Sequence, residues 1–284
     1  MQSQSGVSRV SRVVVVVLDG LRPDAIGSFR LTAIAELMAG GAWTLDATTV
    51  SPSVTVASIT SLLTGVSPDT HGLKGDRVFI PRAAAELIAL PEILASARFD
   101  SWGFVHHLPV IFRGVAARVA RRLGFRRLSV DGTTANDILD AATPLLTEQD
   151  RGLFVLHWPD ADAAGHRSGW MSNEYGEACR QLDTALDRLV TLADDGRTMF
   201  VLLADHGGGG AKYNDHESEH PADKTIPLVL WGAGVSPTWL SSASILDVPA
   251  TVLAVFGLTP PDSFEGRILS EALDGSSTET AAVA

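Results

Sequence analysis

The chain contains a run of six aliphatic residues, VVVVVL at 13–18, with no polar residue among them. A β-branched run of this kind is typical of a strand that is buried on both faces of a parallel sheet. Three further apolar runs have the same character: GLFVLHW at 152–158, TMFVLLA at 198–204 and IPLVLWG at 226–232. These four runs are therefore candidate strands of one central sheet.

Helical patterns lie between the candidate strands. The clearest is YGEACRQLDTALDRLVTLADDG, which ends at Gly196 and places four leucines on one stripe: Leu182, Leu186, Leu189 and Leu192. A second pattern covers DVPATVLAVFGL. Strands that alternate with helices predict an α/β fold, with a central, mostly parallel sheet and helices on both faces. At 284 residues and 45% hydrophobic content, we predict a single domain over 1–284, with flexible ends at 1–11 and 275–284.

The net charge of the chain bears on its partners. A formal charge of −11 argues against binding to a nucleic-acid polymer or a membrane through bulk charge. It allows a phosphorylated small molecule if bound cations invert the local potential. The single Cys179 excludes an intramolecular disulfide, and the six-residue apolar run is too short for a signal sequence. We expect a cytoplasmic protein, with a processed secreted form as the alternative.

Acidic residues and a histidine follow three of the candidate strands. Asp19 follows the first, Asp160 and Asp162 follow the run at 152–158, and Asp205 with His206 comes after the third. In parallel α/β sheets, functional groups collect just past the carboxyl ends of the strands. The sequence therefore predicts one charged cluster at this edge.

The spacing of these residues indicates metal binding. Asp162 and His166 are four residues apart, so both can face one cation, and His216 and His220 follow a run of four glycines. Each feature alone is typical of a cap, a turn or a loop. Together, the clustered carboxylates would repel one another unless cations lay among them. Asp and His ligands without thiolate suit zinc or manganese, and six or seven candidates suit two ions.

Five motifs occur in an order that resembles the alkaline phosphatase superfamily, and most closely its type I phosphodiesterase/nucleotide pyrophosphatase branch. They are VVVVVLDGLRPD, SPSVTVASITSLLTGVSPDTHG, PDADAAGH, ADHGGGG and HESEHPADKTIPLVLWGAG, and the resemblance runs from about residue 12 to about residue 270. It implies an alkaline phosphatase-like fold and two divalent metal ions, zinc first and manganese second. It also implies a small-molecule phosphate ester or nucleotide as the substrate.

The resemblance assigns ligands to the two ions. One would be held by Asp162, His166 and His216, and the other by Asp19, Asp205, His206 and the Thr55 oxygen. His216 lies nine residues before Thr225, which fits the family's spacing better than His220 does.

Thr55 resembles the family's nucleophile, because it lies ten residues before Gly65 of the closing TG. We expect it at the start of a helix, where free backbone N–H groups favour an anion and where a plain N-cap would also sit. The resemblance implies a covalent phospho-threonine intermediate. Ser58 stands where the branch usually has an asparagine that donates to the substrate phosphate. No CxPSR-like motif is present, which disfavours a sulfatase.

These assignments predict a two-metal hydrolase that cleaves phosphate diesters or nucleotide pyrophosphate bonds, with residues 75–130 as a partial cap. The alternatives are a phosphomonoesterase or phosphonate hydrolase on the same site, or a metal-binding protein without turnover. A monoesterase would need a guanidinium near the nucleophile, and Arg22, Arg77 and Arg113 are candidates.

The remaining histidines and a basic segment receive other interpretations. His71 and His157 are interpreted as structural or core residues. The segment 98–128 is basic and aromatic. Its polar groups could contact a second anionic group of the substrate, but a solvated helix face is favoured for most of them: His106, His107, Arg113, Arg118, Arg121, Arg122, Arg126 and Arg127.

Overall fold

The computed structural model describes residues 10–75 and 87–275. Within them one eight-stranded sheet has the order β4-β3-β5-β1-β6-β7-β2-β8. The strands are β1 (Arg12–Leu18), β2 (Ala42–Thr48), β3 (Ser101–His106), β4 (Arg127–Gly132), β5 (Gly152–Trp158), β6 (Thr198–Leu203), β7 (Thr225–Gly232) and β8 (Thr238–Trp239). The four predicted strands are β1, β5, β6 and β7, and they occupy the middle of the sheet.

The valine run forms the centre of the sheet. β1 pairs in parallel with β5 on one side and with β6 on the other, so that Val15 lies opposite Val155 and Val201. All seven residues of β1 are buried, as the absence of polar alternation predicted. β3 is parallel to both β4 and β5, whereas β7 is antiparallel to β6 and β2. The predicted mostly parallel sheet is confirmed.

Helices cover the sheet in two packed groups. In chain order they are α1 (Pro23–Ser28), α2 (Thr32–Gly40), α3 (Thr55–Thr64), α4 (Pro68–His71), α5 (Leu90–Ser96), α6 (Val110–Arg122), α7 (Ala135–Glu148), α8 (Asp160–Ser168), α9 (Asn173–Ala193), α10 (Pro221–Lys224) and α11 (Asp247–Val255), followed by a 3₁₀ turn at Ser270–Ala272. α9 packs on α2, α7 and α8, and α11 packs on α3 and α5. Over the described ranges, none of these helices combines the length and apolarity that a bilayer span requires.

Two boundary predictions are corrected in part. Residues 101–130 of the predicted cap build β3, α6 and most of β4, so they extend the sheet instead of covering a site, while 76–86 lie outside the described residues. At the amino end, Val10 is buried and Ser11 N donates to Arg197 O at 3.0 Å, so the predicted flexible segment 1–11 is held at its last two residues. Residues 1–9 and 276–284 also lie outside the described residues.

Candidate metal centre

The predicted acids and histidines meet at the carboxyl edge of the three central strands. Asp19 directly follows β1, Asp162 lies in the first turn of α8 after β5, and Asp205 with His206 lies just after β6. Asp205 and His206 are fully buried, and Asp19 is 5% exposed. Because β1 lies between β5 and β6, residues far apart in the chain become neighbours here.

Gly20 sets the spacing between three of the acids. Its φ is +69°, and a Cβ at this position would lie 2.9 Å from Asp162 Cα. Asp162 N donates to Asp19 O at 2.9 Å, and Gly20 N donates to Asp205 Oδ1 at 3.3 Å. Only glycine adopts this backbone conformation freely while letting another backbone approach so closely. The turn after β1 therefore brings Asp19, Asp162 and Asp205 together.

The ligand atoms form two groups that share one histidine. One atom each of Asp19, Asp205 and His206 lies within 4.8 Å of the others, and the same holds for Asp162, His206 and His216. His206 Nε2 lies 3.3 Å from Asp19 Oδ1, and the His206 and His216 rings stack with centroids 3.8 Å apart. The first group matches three of the four ligands that the resemblance implied for one ion.

The second group differs from the implied set in its histidines. His206 takes the place that the resemblance gave to His166. His166 Nε2 lies 3.4 Å from Asp162 Oδ1, but the side chain of His166 is 45% exposed. The His166 ring centroid is 5.0 Å from that of His216. His166 therefore stands at the rim of the cluster, beside Asp162.

The three histidines share one hydrogen-bond arrangement. In each, Nδ1 lies at hydrogen-bond distance from a backbone carbonyl: Gly207 O for His206 at 2.9 Å, Ser53 O for His216 at 2.7 Å and Asn214 O for His166 at 3.0 Å. A carbonyl only accepts, so Nδ1 is assigned as the protonated nitrogen in the neutral ring. The lone pair then lies on Nε2, which is the atom nearest the carboxylates. Metal-binding histidines are oriented in the same way.

Unpaired carboxylate oxygens provide a test of whether this cluster fits cations. Asp19 Oδ1, Asp162 Oδ1 and Asp205 Oδ2 are buried and make no hydrogen bond within residues 10–75 and 87–275. A buried carboxylate oxygen without a partner is unfavourable, and a divalent cation would satisfy it. Each of the three imidazoles, when neutral, adds an Nε2 lone pair beside these oxygens, so the donor set fits divalent metal ions.

The protonation of the metal-free cluster follows from burial and from its charges. Burial and the neighbouring Asp205 raise the pKa of Asp19 to about 7. Burial also opposes ionisation of Asp205, but His206 and His157 hold the pKa of that carboxyl below its ordinary value. Burial disfavours charge on His206, yet Asp205 and Asp19 raise its pKa to about 10. The metal-free cluster therefore retains protons that incoming cations must displace.

Thr55 lies beside the first ligand group. It is the first residue of α3, and Val54, not Thr55, is the N-cap, so the hydroxyl is not used to cap the helix. Thr55 Oγ1 is 3.2 Å from His206 Nε2, and the side chain is partly exposed. The helix start predicted at this position is confirmed, and the hydroxyl faces the predicted ligands.

Ser58 has a different environment from the one that was predicted. It is fully buried, and its Oγ lies 3.1 Å from Thr49 Oγ1. Thr49 donates its own proton to the carbonyl of Asp205, so Ser58 must donate to Thr49. A hydroxyl has a single proton. Ser58 therefore stabilises the backbone around Asp205, and this geometry gives no support to its predicted role as a phosphate donor.

His157 is the functional candidate that the sequence interpretation missed. It lies in β5, is 5% exposed, and places Nε2 3.2 Å from Asp19 Oδ2 and 3.9 Å from Asp205 Oδ2. Burial disfavours its charged form, but these two carboxylates raise the pKa of the ring. The interpretation as a satisfied core residue is wrong, because Nε2 has no hydrogen-bond partner in the part of the chain that the structure describes and faces Asp19 and Asp205. The sequence signal that could have identified His157 as a functional residue is its position near the carboxyl end of an apolar strand, where the other site residues also lie.

Other candidates have contacts outside the two groups. His220 Nδ1 accepts from Ala222 N at 3.1 Å as the cap of α10, and Asp160 Oδ2 accepts from Ala135 N at 2.8 Å at the start of α7. His71 is fully buried with Nε2 3.1 Å from Ser61 Oγ, which agrees with a structural role.

The two candidate arginines that the structure describes are already paired. Arg22 donates to both carboxylate oxygens of Asp24 and to Gly208 O. Arg113 Nη1 donates to Asp131 at 2.8 Å, and its Nε donates to Leu108 O. Arg77 lies outside the described residues.

Two family models match the sequence in consecutive parts. The model described as type I phosphodiesterase / nucleotide pyrophosphatase matches residues 13–89, and the one described as metalloenzyme superfamily matches residues 128–260. The first range contains Asp19 and Thr55, and the second contains Asp162, Asp205 and His216.

Curated relatives carry the name GPI ethanolamine phosphate transferase 1. The mouse protein is 26% identical over 260 residues, which cover 79% of this chain and 26% of the relative. The human protein is 25% identical over 270 residues, covering 83% of this chain and 28% of the relative. The chain thus spans about a quarter of the length of these relatives.

Solved structures with the same fold extend over nearly all of the chain. Murine ectonucleotide pyrophosphatase/phosphodiesterase 5, in complex with AMP, has a TM-score of 0.76 at 13% identity and covers 93% of this chain and 100% of its own. The lipoteichoic acid synthase LtaP from Listeria monocytogenes has a TM-score of 0.70 at 17% identity, covering 92% of this chain and 76% of its own. At these identities the likeness establishes the fold.

Proposed function

Because this chain belongs to the alkaline phosphatase superfamily of phosphoester hydrolases and transferases, we propose that it is a two-metal hydrolase of phosphate diesters or nucleotide pyrophosphate bonds. The observation that carries the proposal is the position of Thr55 Oγ1, 3.2 Å from His206 Nε2 at the start of α3. The Thr55 hydroxyl, the first backbone N–H groups of α3 and the carboxylate–histidine cluster lie next to one another. A phosphate group could be held and attacked at this place.

Thr55 is the nucleophile in this proposal. Backbone N–H groups in the first turn of α3, together with the helix dipole, attract the phosphate oxygens. The Thr55 oxygen forms a bond to phosphorus as the bond from phosphorus to the leaving alcohol or phosphate breaks. The proton that Thr55 loses is balanced by the one that the leaving oxygen takes up. Water then cleaves the phospho-threonine, which still carries the remaining ester group, so that Thr55 recovers its hydroxyl and a phosphate monoester is released.

The cluster would hold the two cations. Asp19, Asp205 and His206 would hold one beside Thr55, and Asp162 and His216 would hold the other, with His166 at the rim. Bound divalent ions would supply positive charge to the phosphate oxygens and lower the pKa of a contacting hydroxyl. Zinc is our first choice and manganese the second, because the donors are imidazoles and carboxylates.

The arginine contacts favour a diester over a monoester. A monoester carries an additional negative charge, which a guanidinium near the nucleophile would offset. The two described candidates, Arg22 and Arg113, donate to Asp24 and Asp131 instead. We therefore place phosphate diesters and pyrophosphates, as small molecules, ahead of phosphate monoesters.

A second candidate function is phosphoryl transfer to an alcohol. Two relatives that align with about four-fifths of this chain are named GPI ethanolamine phosphate transferase 1. Transfer would use the same phospho-threonine, and an alcohol would replace water in the second step. The two functions thus share Thr55 and differ only in the acceptor.

The primary test compares cleavage of bis-p-nitrophenyl phosphate with cleavage of p-nitrophenyl phosphate, using protein stripped with chelator and refilled with zinc or manganese. We expect metal-dependent cleavage of the diester that Thr55→Ala abolishes. Thr60→Ala is the matched control, because Thr60 lies on the same helix and its hydroxyl donates to Val56 O, within that helix. A preference for the monoester would contradict the diester proposal. Metal binding without turnover would favour the alternative that the chain is a metal-binding protein and not an enzyme.

Transfer is distinguished from hydrolysis by the product. With ethanolamine or glycerol present, phosphorus NMR separates the hydrolysis product of the diester from a new phosphate ester of the added alcohol. A hydrolase gives mainly the hydrolysis product, whereas a dominant alkyl ester would favour the second candidate. Both outcomes require Thr55, so Thr55→Ala remains the control in each.

A further inference from the structure

An exposed apolar patch lies at the start of α6. Val110 is 76% exposed, Ile111 79%, Phe112 47% and Val115 55%. They are four of the nine large hydrophobic side chains that are exposed in the described ranges, and they fall within six consecutive residues. Scattered exposed apolar residues are normal on proteins, but a contiguous group indicates a partner.

The outward face of α6 combines this patch with arginines. Ile111, Val115, Arg118 and Arg122 are spaced at i, i+4, i+7 and i+11, so they share one stripe of the helix. Ala120, on the opposite side, is the helix's buried residue. The exposed stripe is therefore apolar in the first turns of α6 and basic in the last turns.

Two arginines of this basic region have no acidic partner among the described residues. Residues 110–127 contain six arginines and no acidic residue, in a chain whose net charge is −11. Arg113 pairs with Asp131 and Arg126 pairs with Asp100. Arg118 and Arg121, by contrast, are exposed and have no acidic partner in residues 10–75 and 87–275. The surface is thus an isolated positive region on an acidic protein.

The apolar turns lie at the same edge of the sheet as the metal centre. α6 begins shortly after the carboxyl end of β3, and β3 is the direct neighbour of β5. At that edge the ring centroid of His106, the last residue of β3, is 6.2 Å from that of His157. A planar surface in contact with the start of α6 would therefore lie next to the metal centre.

We propose that α6 is a membrane-contact helix that binds anionic phospholipid surfaces. The apolar side chains at its start would enter the headgroup region, and Arg118 and Arg121 would meet lipid phosphates. Charge complementarity selects an anionic lipid partner. The expectation of no membrane partner was based on bulk charge, but screening limits the reach of surface charges to about 10 Å, so the local arginines decide the interaction.

The test measures flotation of the full chain with vesicles of phosphatidylcholine alone and with added phosphatidylserine, at low and high salt. We expect binding only to the phosphatidylserine vesicles, weakened by salt. Arg118→Gln with Arg121→Gln should reduce the affinity by roughly 30-fold, since each arginine near an anionic surface contributes about a factor of five. Ile111→Ser with Val115→Ser should abolish flotation.

Matched controls separate α6 from general effects of charge and exposure. Arg180→Gln with Arg188→Gln removes the same charge from exposed positions on α9, and Leu192→Ser changes an exposed leucine of that helix. Both should bind like the wild type, and circular dichroism should show unchanged melting for all four variants. The readout does not depend on turnover, so it stands apart from the proposed hydrolase activity.

Three outcomes would overturn the proposal. The first is absence of wild-type flotation with phosphatidylserine vesicles at low salt. The second is binding that the two α6 variants leave intact. The third is a concentration-dependent dimer in sedimentation that Ile111→Ser with Val115→Ser abolishes while no vesicles bind, which would assign the surface to a second copy of the chain.

Discussion

Gly20→Ala should destabilise the protein and separate its metal ligands. Gly20 has a φ of +69°, and the added Cβ would lie 2.9 Å from Asp162 Cα and 3.2 Å from Asp162 N. These are backbone atoms, so no side chain can rotate away to relieve the contact. Either α8 moves away from β1, which separates Asp162 from Asp19, or the turn after β1 distorts.

The magnitude has two contributions. A left-handed conformation costs a non-glycine residue about 1–2 kcal/mol, and an additional methyl group in a packed site costs about 1–3 kcal/mol. We therefore expect the free energy of unfolding to fall by about 2–5 kcal/mol. Gly196 is a control for the first contribution, because its φ is +73° and nothing lies within 4 Å of its Cβ position. Gly196→Ala should thus cost only about 1–2 kcal/mol.

Urea unfolding of both variants, stripped of metal, measures this difference, and calorimetric titration with zinc measures the effect on the ligands. Gly20→Ala should unfold at lower urea than Gly196→Ala and bind zinc more weakly than the wild type. Gly196→Ala should bind zinc normally. Equal losses of stability in the two variants, with equal zinc affinity, would refute the close approach of α8 to the turn after β1.

Three further predictions concern the metal centre. Chelation should lower the melting temperature by about 5 °C per ion. A ligand at 100 times its Kd stabilises the folded protein by about 2.7 kcal/mol, and each kcal/mol shifts the melting temperature of a chain of this size by about 2 °C. An unchanged melting curve would count against metal binding. His157→Gln should weaken zinc affinity by roughly 10- to 100-fold, because substitution of residues that contact and orient metal ligands has effects of this size. His107→Gln, at an exposed position, is the control and should leave the zinc affinity unchanged in the same titration. Zinc binding should release protons and weaken as the pH falls below about 10, where His206 becomes protonated in the metal-free protein, and weaken more steeply below about 7, where Asp19 also becomes protonated. These protons must leave before the ligands bind. Titration heats that are the same in buffers of different ionisation enthalpy would contradict this release.

Much of the fold was predictable because its strands carry a strong local pattern. The valine run of β1 has no polar position, which is possible only where both faces of a strand are covered. The edge strand β4 and its neighbour β3 were assigned to a cap instead, since RLSVDG and SWGFVH are short and mixed in polarity. Their placement depends on pairing with β5 and with each other, which single-sequence patterns do not encode.

The location of the candidate site was predictable, but the roles of individual side chains were less so. Asp19, Asp162 and Asp205 follow strands, and the carboxyl ends of parallel strands share one edge, so their meeting follows from topology. The position of His206 between both groups, the rim position of His166 and the contact of His157 with Asp19 depend on ring orientations. Contacts distant in sequence set those orientations, such as the one between His216 and Ser53.

The carbonyl contacts of the three histidines have a consequence for how the centre can vary. The groups that hold the rings are main-chain oxygens of Ser53, Gly207 and Asn214. The Ser53 side chain also takes part, because its buried Oγ donates to the carbonyl of His216, whereas Asn214 contacts His166 through its main chain. Substitution at Asn214 can therefore alter the surroundings of the cluster while the His166 imidazole keeps its direction. A laboratory library that randomises this position could explore new specificities without first having to rebuild the coordination.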